Sequence, residues 1–322
     1  MPKVSVVIPI FNVEKYIERC ARSLFEQTLD DIEYIFIDDC SPDQSIKLLE
    51  SILAEYPDRI SQTKIIRLAQ NIGAANVRKE GIMLATGEYI IQCDSDDWVE
   101  RDMYELMYSK AISDNLDMVI CDIYNKSNKY NTQSALHKDK KSLIFELLAG
   151  NRECVLWNKL VKRTVFNNNI IFPTAHLAED YALTPQMVYY SNSIGYIDKA
   201  LYHYCLNSGS ITEDISNEKV LQKVSQHAEN VQLIFDFFQR EAFILPDYVA
   251  AVMKWRCRFW LTPIIGTDEG YKLWKNMYPE LNRTFLRYKE IPFRKKINFV
   301  LSYCRMTGVI KFIKVVKSKL TK

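Results

Sequence analysis

Over its first hundred residues the chain alternates short, unbroken apolar runs with amphipathic stretches. Residues 4–10, Val-Ser-Val-Val-Ile-Pro-Ile, and 32–37, Ile-Glu-Tyr-Ile-Phe-Ile, are β-rich. Such runs predict strands buried on both faces. Pro9, near the end of the first run, stops further pairing. Between the two runs, Val13, Tyr16, Ile17, Cys20 and Leu24 recur at helical spacing and predict a helix within residues 12–27. A turn-rich string, Asp38-Asp39-Cys40-Ser41-Pro42-Asp43, then launches a helix expected over residues 45–56. A strand at 63–68, a loop at Asn71-Ile72-Gly73, a helix to about residue 85 and a strand through Tyr89-Ile90-Ile91 complete the series. Order β-α-β-α-β-α-β predicts an α/β fold with a doubly wound, mostly parallel, Rossmann-like sheet and right-handed crossovers.

Beyond residue 100 the pattern predicts a helix at 102–114 and a strand at 118–124, then a polar surface loop at 125–141. A helical stretch follows at 143–148, and a helix runs from Glu179-Asp180 to residue 190. Residues 194–204 read as strand, turn, strand, and 207–212 as a loop. From about residue 217 the chain becomes helical and aromatic-rich, with amphipathic helices at 218–240 and 247–261. The expected organisation is an α/β domain at 1–212, with halves 1–100 and 101–212, and a helical extension at 213–322.

Composition adds little: 322 residues, 48% hydrophobic and 25% charged, fit a soluble globular protein. Charge placement adds more. From residue 287 on there are eleven Lys/Arg and a single acid, Glu290; with a net charge of +2 overall, the rest of the chain is about −8. The tail, residues 293–322, intersperses its cations with apolar residues, as an amphipathic helix on an anionic membrane surface would. A helix packed on its own domain with a solvated basic face fits the same pattern. No nucleic-acid-binding motif accompanies the charge. The eight cysteines form no CxxC and no zinc spacing, so reduced thiols in a cytosolic protein are expected. No signal peptide is expected, and no apolar run reaches the ~18–20 residues of a membrane span.

The candidate chemistry lies at strand ends. The run 89–91 leads into Asp94, Asp96 and Asp97, and the second strand ends in Asp38-Asp39. Crowded carboxylates cost free energy unless positive charge joins them. A solvated acidic turn is the plain alternative to a divalent cation bridging a diphosphate. In a doubly wound sheet both strand ends open into one crevice. The chain has neither G-x-G-x-x-G nor G-x-x-x-x-G-K-[ST], so a dehydrogenase or P-loop NTPase would lack its phosphate cradle.

Taken in order, these pieces resemble glycosyltransferase family 2, with its GT-A nucleotide-sugar fold. They are Val4–Asn12, Asp38–Asp43, Asn71-Ile72-Gly73 with Arg78, Ala85–Ile90 leading into Asp94-Ser95-Asp96-Asp97, Trp157-Asn158-Lys159-Leu160 and Ala178-Glu179-Asp180. The resemblance implies that the main chain at Pro9–Phe11 lines a base pocket. Asp39 would contact the nucleobase with Asp38 beside it, and Asp94 would lie at the ribose or sugar. Asp96 would hold Mn2+ or Mg2+ on the diphosphate. Asn71, Arg78, Ser95 and Lys159 fall on the nucleotide-sugar side. Asp180, with Glu179 next to it, matches the catalytic-base position. Two positions depart from the family pattern: Cys40 stands where glycine is usual, and Lys79 follows Arg78 where asparagine is common.

Each residue also has a plainer reading. Glu179-Asp180 suits a helix N-terminus, where acids are favoured. Lys159 reaches a phosphate or acceptor, or snorkels at the surface. His203 is a further metal ligand or diphosphate donor, or a packing histidine. Trp98 stacks on a sugar or joins the core. The expected activity is inverting, metal-dependent transfer from a UDP-sugar to a hydroxyl of a growing surface polysaccharide, capsule or lipopolysaccharide glycan. It would take place in the cytoplasm, at the inner face of the cell membrane. The rivals are a sugar nucleotidyltransferase on a similar fold and a nucleotide- or glycan-binding scaffold without chemistry.

Overall fold

The computed structural model describes residues 1–124, 130–131, 139–205, 216–306 and 308–309. Two compact units emerge: Met1–Ile144 with Arg152–Ser208, and Phe145–Asn151 with Gly209–Lys322.

The first unit is built on one mixed sheet. Its strands are β1 (Val4–Ile10), β2 (Ile32–Asp38), β3 (Thr63–Arg67), β4 (Tyr89–Gln92), β5 (Trp98–Val99), β6 (Met118–Tyr124), β7 (Tyr130–Asn131), β8 (Lys159–Lys162) and β9 (Ile194–His203). The order is β3-β2-β1-β4-β8-β6-β9-β5, with β7 on β6. The four strands from β3 to β4 are parallel, as the alternating pattern predicts. Beyond β4 the directions mix: β8 runs antiparallel to both β4 and β6, β9 is parallel to β6, and β5 is antiparallel to β9.

Alternation along β1 and β2 explains the two layers of helices. Val4, Val6, Ile8 and Ile10 join Tyr34 and Phe36 on one face, packed against α1 (Ile17–Phe25), α2 (Ser45–Leu53) and α5 (Met103–Ser113). Val7, Ile35, Ile37 and Ile90 face the other way, against Val77 and Ile82 of α4 (Ala74–Leu84). Gly81 permits that approach, since a Cβ there would lie 2.2 Å from a Val7 methyl. The helix expected within residues 12–27 spans Ile17–Phe25: Asn12 takes a left-handed φ of 56°, and residues 13–16 make a turn closed by the Tyr16 amide on the Val13 carbonyl. The helix expected to reach residue 56 ends at Leu53, and Pro57 opens the separate short helix α3 (Pro57–Ile60).

The strand-turn-strand expected at 194–204 is one strand, β9. Its register against β6 slips on both sides of Asp122, and the exposed pair Asp198-Lys199 lies in the slip. A bulge absorbs extra residues without ending the strand. Most of the polar loop expected at 125–141 lies outside the described residues, as do 206–215, 307 and the tail from 310.

The helix α6 (Lys140–Leu148) ends in the second unit, and α7 (Glu179–Tyr190) belongs to the first. The rest of the second unit is α8 (Asn217–Arg240), α9 (Asp247–Phe259), α10 (Asp268–Asn276), α11 (Leu281–Thr284) and α12 (Phe293–Tyr303). Its core centres on Trp255, Trp274, Phe285 and Phe299. Arg258 is wholly buried there, 4.7 Å over the Trp274 ring, and donates to the Met277 and Tyr278 carbonyls and to Asn282 Oδ1.

Candidate active site

The carboxyl ends of β1, β2 and β4 form a sewn rim. Asp38 accepts from the Ser41 amide, and Asp43 accepts from the amides of Glu14 and Ser45. Ser45 Oγ in turn accepts from the Val13 amide. The turn requires a left-handed residue, and Cys40 supplies it with a φ of 59°. Phe11 projects outward, 49% exposed, and Pro9 is half-buried.

Asp39 is almost fully buried. One oxygen accepts from the Ile72 amide at 2.6 Å and the other from the Gly73 amide at 2.9 Å. The Asn71 side chain closes the loop onto the Asp39 carbonyl. Gly73 has a φ of 81°, and a Cβ there would lie 2.3 Å from the His176 ring. Only glycine combines that backbone with that contact. His176 thereby brings the segment before α7 against the start of α4.

Arg78 lies at the centre of the site, buried on α4. Its guanidinium reaches Asp94 Oδ1 at 2.6 Å, Gln92 Oε1 at 2.6 Å and Glu179 Oε1 at 3.1 Å. Burial works against its charge, but Asp94 and Glu179 outweigh burial and raise its pKa. The guanidinium expected on the nucleotide-sugar side therefore clamps two carboxylates, Asp94 and Glu179.

Glu179 and Asp180 open α7, set in place by Ala178, which takes a left-handed φ of 63°. Burial, then the neighbouring Glu179 charge, push the Asp180 carboxyl up to about 7. Arg78 and the Tyr181 amide pull the other way. Both acids lie in the first turn of α7, and Glu179 is engaged by Arg78.

Ligand oxygens of Asp94, Asp96 and Asp97 lie within 4.8 Å of one another. Hard oxygen donors at that spacing fit Mg2+ or Mn2+. Their commitments differ. Asp97 is fully buried; Tyr202 Oη lies 2.8 Å from Oδ2, and Oδ1 accepts from the Cys205 amide at 2.7 Å. Burial, together with Asp94 and Asp96, pushes Asp97 up to about 9. Asp94 gives one oxygen to Arg78. The three side chains together are the group whose oxygens fit a cation. Ser95, between Asp94 and Asp96, is buried.

The sequence reading gave Tyr202 no role. Tyr202 Oη accepts from the Asp94 amide at 3.1 Å, and its ring stacks on Trp157 at 4.0 Å. Trp157-Asn158-Lys159 is a buckle behind this tyrosine. Asn158 donates to the Cys121 carbonyl. Lys159 Nζ is buried on Asn158 Oδ1 at 2.7 Å and the Val155 carbonyl at 2.6 Å. Burial lowers Lys159 to about 8. Lys159 is thus neither a surface lysine nor one turned toward a phosphate. The period-2 register of β9 was the signal that could have pointed to Tyr202, but the bulge hid it.

His203 lies apart from the three aspartates. Its Nε2 is 2.7 Å from Glu100, and its ring is stacked between Trp98 at 3.4 Å and Tyr124 at 4.4 Å. Burial lowers its pKa, with Glu100 opposing. The metal-capable group found among the described residues contains the three aspartates without His203. Trp98 spends its face on this histidine.

A parallel sheet flanked by helices on both faces, an antiparallel continuation, and acids beyond the carboxyl end of β4 define the GT-A class of fold. S. aureus TarS 1–349, in complex with UDP-GlcNAc, superposes with a TM-score of 0.60 over 95% of this chain and 90% of that one, at 17% identity. The family model for glycosyl transferase family 2 matches residues 5–174, and the chain belongs to that family. EpsH of Bacillus subtilis is 33% identical over 223 residues, 66% of this chain and 63% of that protein. The cholesterol galactosyltransferase of Borreliella burgdorferi is 31% identical over 230 residues, 66% of this chain and 63% of its own length. The match thus takes in a little under two thirds of these relatives.

Proposed function

We propose that the chain is an inverting glycosyltransferase that moves one sugar from a nucleotide sugar to an acceptor hydroxyl. The single observation that carries this reading is the bridge from Asp94 through Arg78 to Glu179, beside Asp180. It ties the acids suited to a donor to a carboxylate whose pKa of about 7 suits a general base. Asp180 takes the acceptor hydroxyl proton as the acceptor oxygen forms its bond to the sugar C1. The C1–O bond to the diphosphate breaks, and the nucleoside diphosphate leaves with the electron pair. Attack and departure on opposite faces invert the anomeric centre. When bound at Asp96 and Asp94, Mg2+ or Mn2+ supplies charge neutralisation for that leaving group.

UDP is the nucleotide favoured, in keeping with the UDP-GlcNAc held by the structurally similar TarS. The base would contact Asp39 and the main chain at Pro9–Phe11. The acceptor is a hydroxyl of a surface polysaccharide or a lipid-linked glycan, reached from the cytoplasmic side at a membrane surface. No helix of the described residues is long and apolar enough to cross a membrane.

The test is a panel of nucleotide sugars scored for release of nucleoside diphosphate, with Mn2+, Mg2+ or chelator. Turnover of at least one UDP-sugar, abolished by chelator and by Asp96→Ala, is expected. Failure to bind or turn over any UDP-sugar removes the donor assignment. Full activity of the Asp96→Ala protein removes the cation reading.

A further inference from the structure

The outward face of α12 is apolar where a helix end packed only on its own unit would be polar. Phe299 and Ser302 point inward, Phe299 stacking on Phe285 at 4.7 Å and lying 5.4 Å from Trp274. On the other side Phe293 is 77% exposed, Ile297 37% and Val300 42%. Spacings of four and three residues put these three on one line along the helix. Arg294 and Lys296 flank that line, one on each side, and neither forms an ion pair among the described residues. Lys295, on the inward side, is occupied instead by Asn151 Oδ1 at 2.6 Å.

An apolar stripe bordered on both edges by cations fits a plane that is apolar below and anionic at its rim. That is the boundary between acyl chains and headgroups of an acidic bilayer, where long basic side chains reach back to the phosphates. A solvated basic face would have no use for three exposed apolar side chains in register. The sequence adds eleven Lys/Arg against one acid from residue 287 on, a long-range pull in the same direction.

We infer that α12 docks flat on an anionic lipid surface, with Phe293, Ile297 and Val300 entering the acyl boundary and Arg294 and Lys296 meeting lipid phosphates. This deepens, and rests on, the membrane-surface part of the proposed function, but it is tested without any sugar transfer.

The experiment is co-sedimentation of the full chain with phosphatidylcholine vesicles, with and without phosphatidylglycerol. Binding only when phosphatidylglycerol is present is expected. The triple variant Phe293→Gln/Ile297→Gln/Val300→Gln should lose affinity roughly tenfold or more, and Arg294→Gln/Lys296→Gln by about tenfold. Both sets of changes lie on an exposed face, so thermal melts should match the wild type. Equal binding by the triple variant, or none by the wild type, overturns the inference. So does a wild-type dimer in light scattering that the triple variant dissolves while vesicles pellet neither, since a second copy would then cover the stripe. UDP-sugar hydrolysis on the same samples separates the two readings: turnover without vesicle binding sinks only the docking surface, and binding without turnover sinks only the enzyme.

Discussion

Arg78 Nε lies 3.1 Å from Glu179 Oε1 across 101 residues of chain, while the other end of the same guanidinium holds Asp94 at 2.6 Å. A helix from the first half of the unit thereby fixes the start of α7 relative to the end of β4. The geometry needs a planar fork, which lysine does not have.

Replacing Arg78 by alanine leaves Asp94 and Glu179 facing each other without their cation. Breaking a buried pair in this way typically costs about 3–5 kcal/mol. Urea unfolding should show a loss in that range for Arg78→Ala and a smaller one for Arg78→Lys. Arg78→Lys should also lower kcat more than it raises the donor KM, because charge survives while alignment does not. An unchanged melt for Arg78→Ala would show that the clamp contributes nothing to the fold.

Asp180 sets a pH dependence. The catalytic form is the carboxylate, so kcat/KM should rise with pH through about 7, the value to which burial and Glu179 raise this group. Stability runs the other way. A folded value above the ordinary 3.8 means that the folded state binds its proton more tightly than the unfolded chain. The contribution is complete below the unfolded value and is lost as pH rises through the folded one. Asp180→Asn should lose roughly 10²–10⁴-fold in kcat. It should also melt no lower than the wild type above neutrality. A rate limb that persists in the asparagine variant would assign the titration elsewhere.

Cys40 occupies a left-handed position usually given to glycine, at a φ of 59°. A side chain there costs about 1–2 kcal/mol, partly offset because glycine would raise the conformational entropy of the unfolded chain. Cys40→Gly is therefore expected to be as stable as the wild type or up to about 1 kcal/mol more so, and Cys40→Val less stable. Chemical denaturation of the three proteins ranks them, and valine above glycine would contradict the strain.

Lys159 gives the cleanest separation of structure from binding. Its ammonium serves the Asn158 side chain and the Val155 and Glu153 carbonyls. Lys159→Met leaves those acceptors unsatisfied, at a cost of about 1–3 kcal/mol. The melting temperature should fall while the donor KM at a permissive temperature stays within about twofold. A large KM change with an intact melt would return this lysine to the phosphate.

Much of this arrangement is legible along the chain because it is local. Runs such as Ile35-Phe36-Ile37 can only be buried strands, and acids that follow such runs must lie at strand ends. The alternation of elements then forces the parallel half of the sheet. The partners of those acids are a different matter. Nothing near Arg78 in sequence shows that Glu179 will meet it, and nothing near Asp97 shows that Tyr202 will. Both contacts span about a hundred residues and depend on how β8, β6 and β9 pair, where strand direction is not dictated by alternation. Lys159 and His203 misled for a related reason. Each is the residue type that functional sites use, but the rings around His203 come from two other strands, and the carbonyls around Lys159 come from a turn at residues 153–158 that no periodicity announces.

The slip in β9 opposite Asp122 has a sharp arithmetic consequence. Adjacent strand positions face opposite sides, so the number of residues between Ile197 and Tyr202 decides which ring turns toward Asp94. Deleting one residue at the exposed Asp198-Lys199 step would reverse that parity. The phenol would swing out and the imidazole in, exchanging a neutral hydroxyl beside the aspartates for a group that titrates near neutrality. A surface indel remote from every acid in the cluster would thus rewrite the electrostatics at its centre.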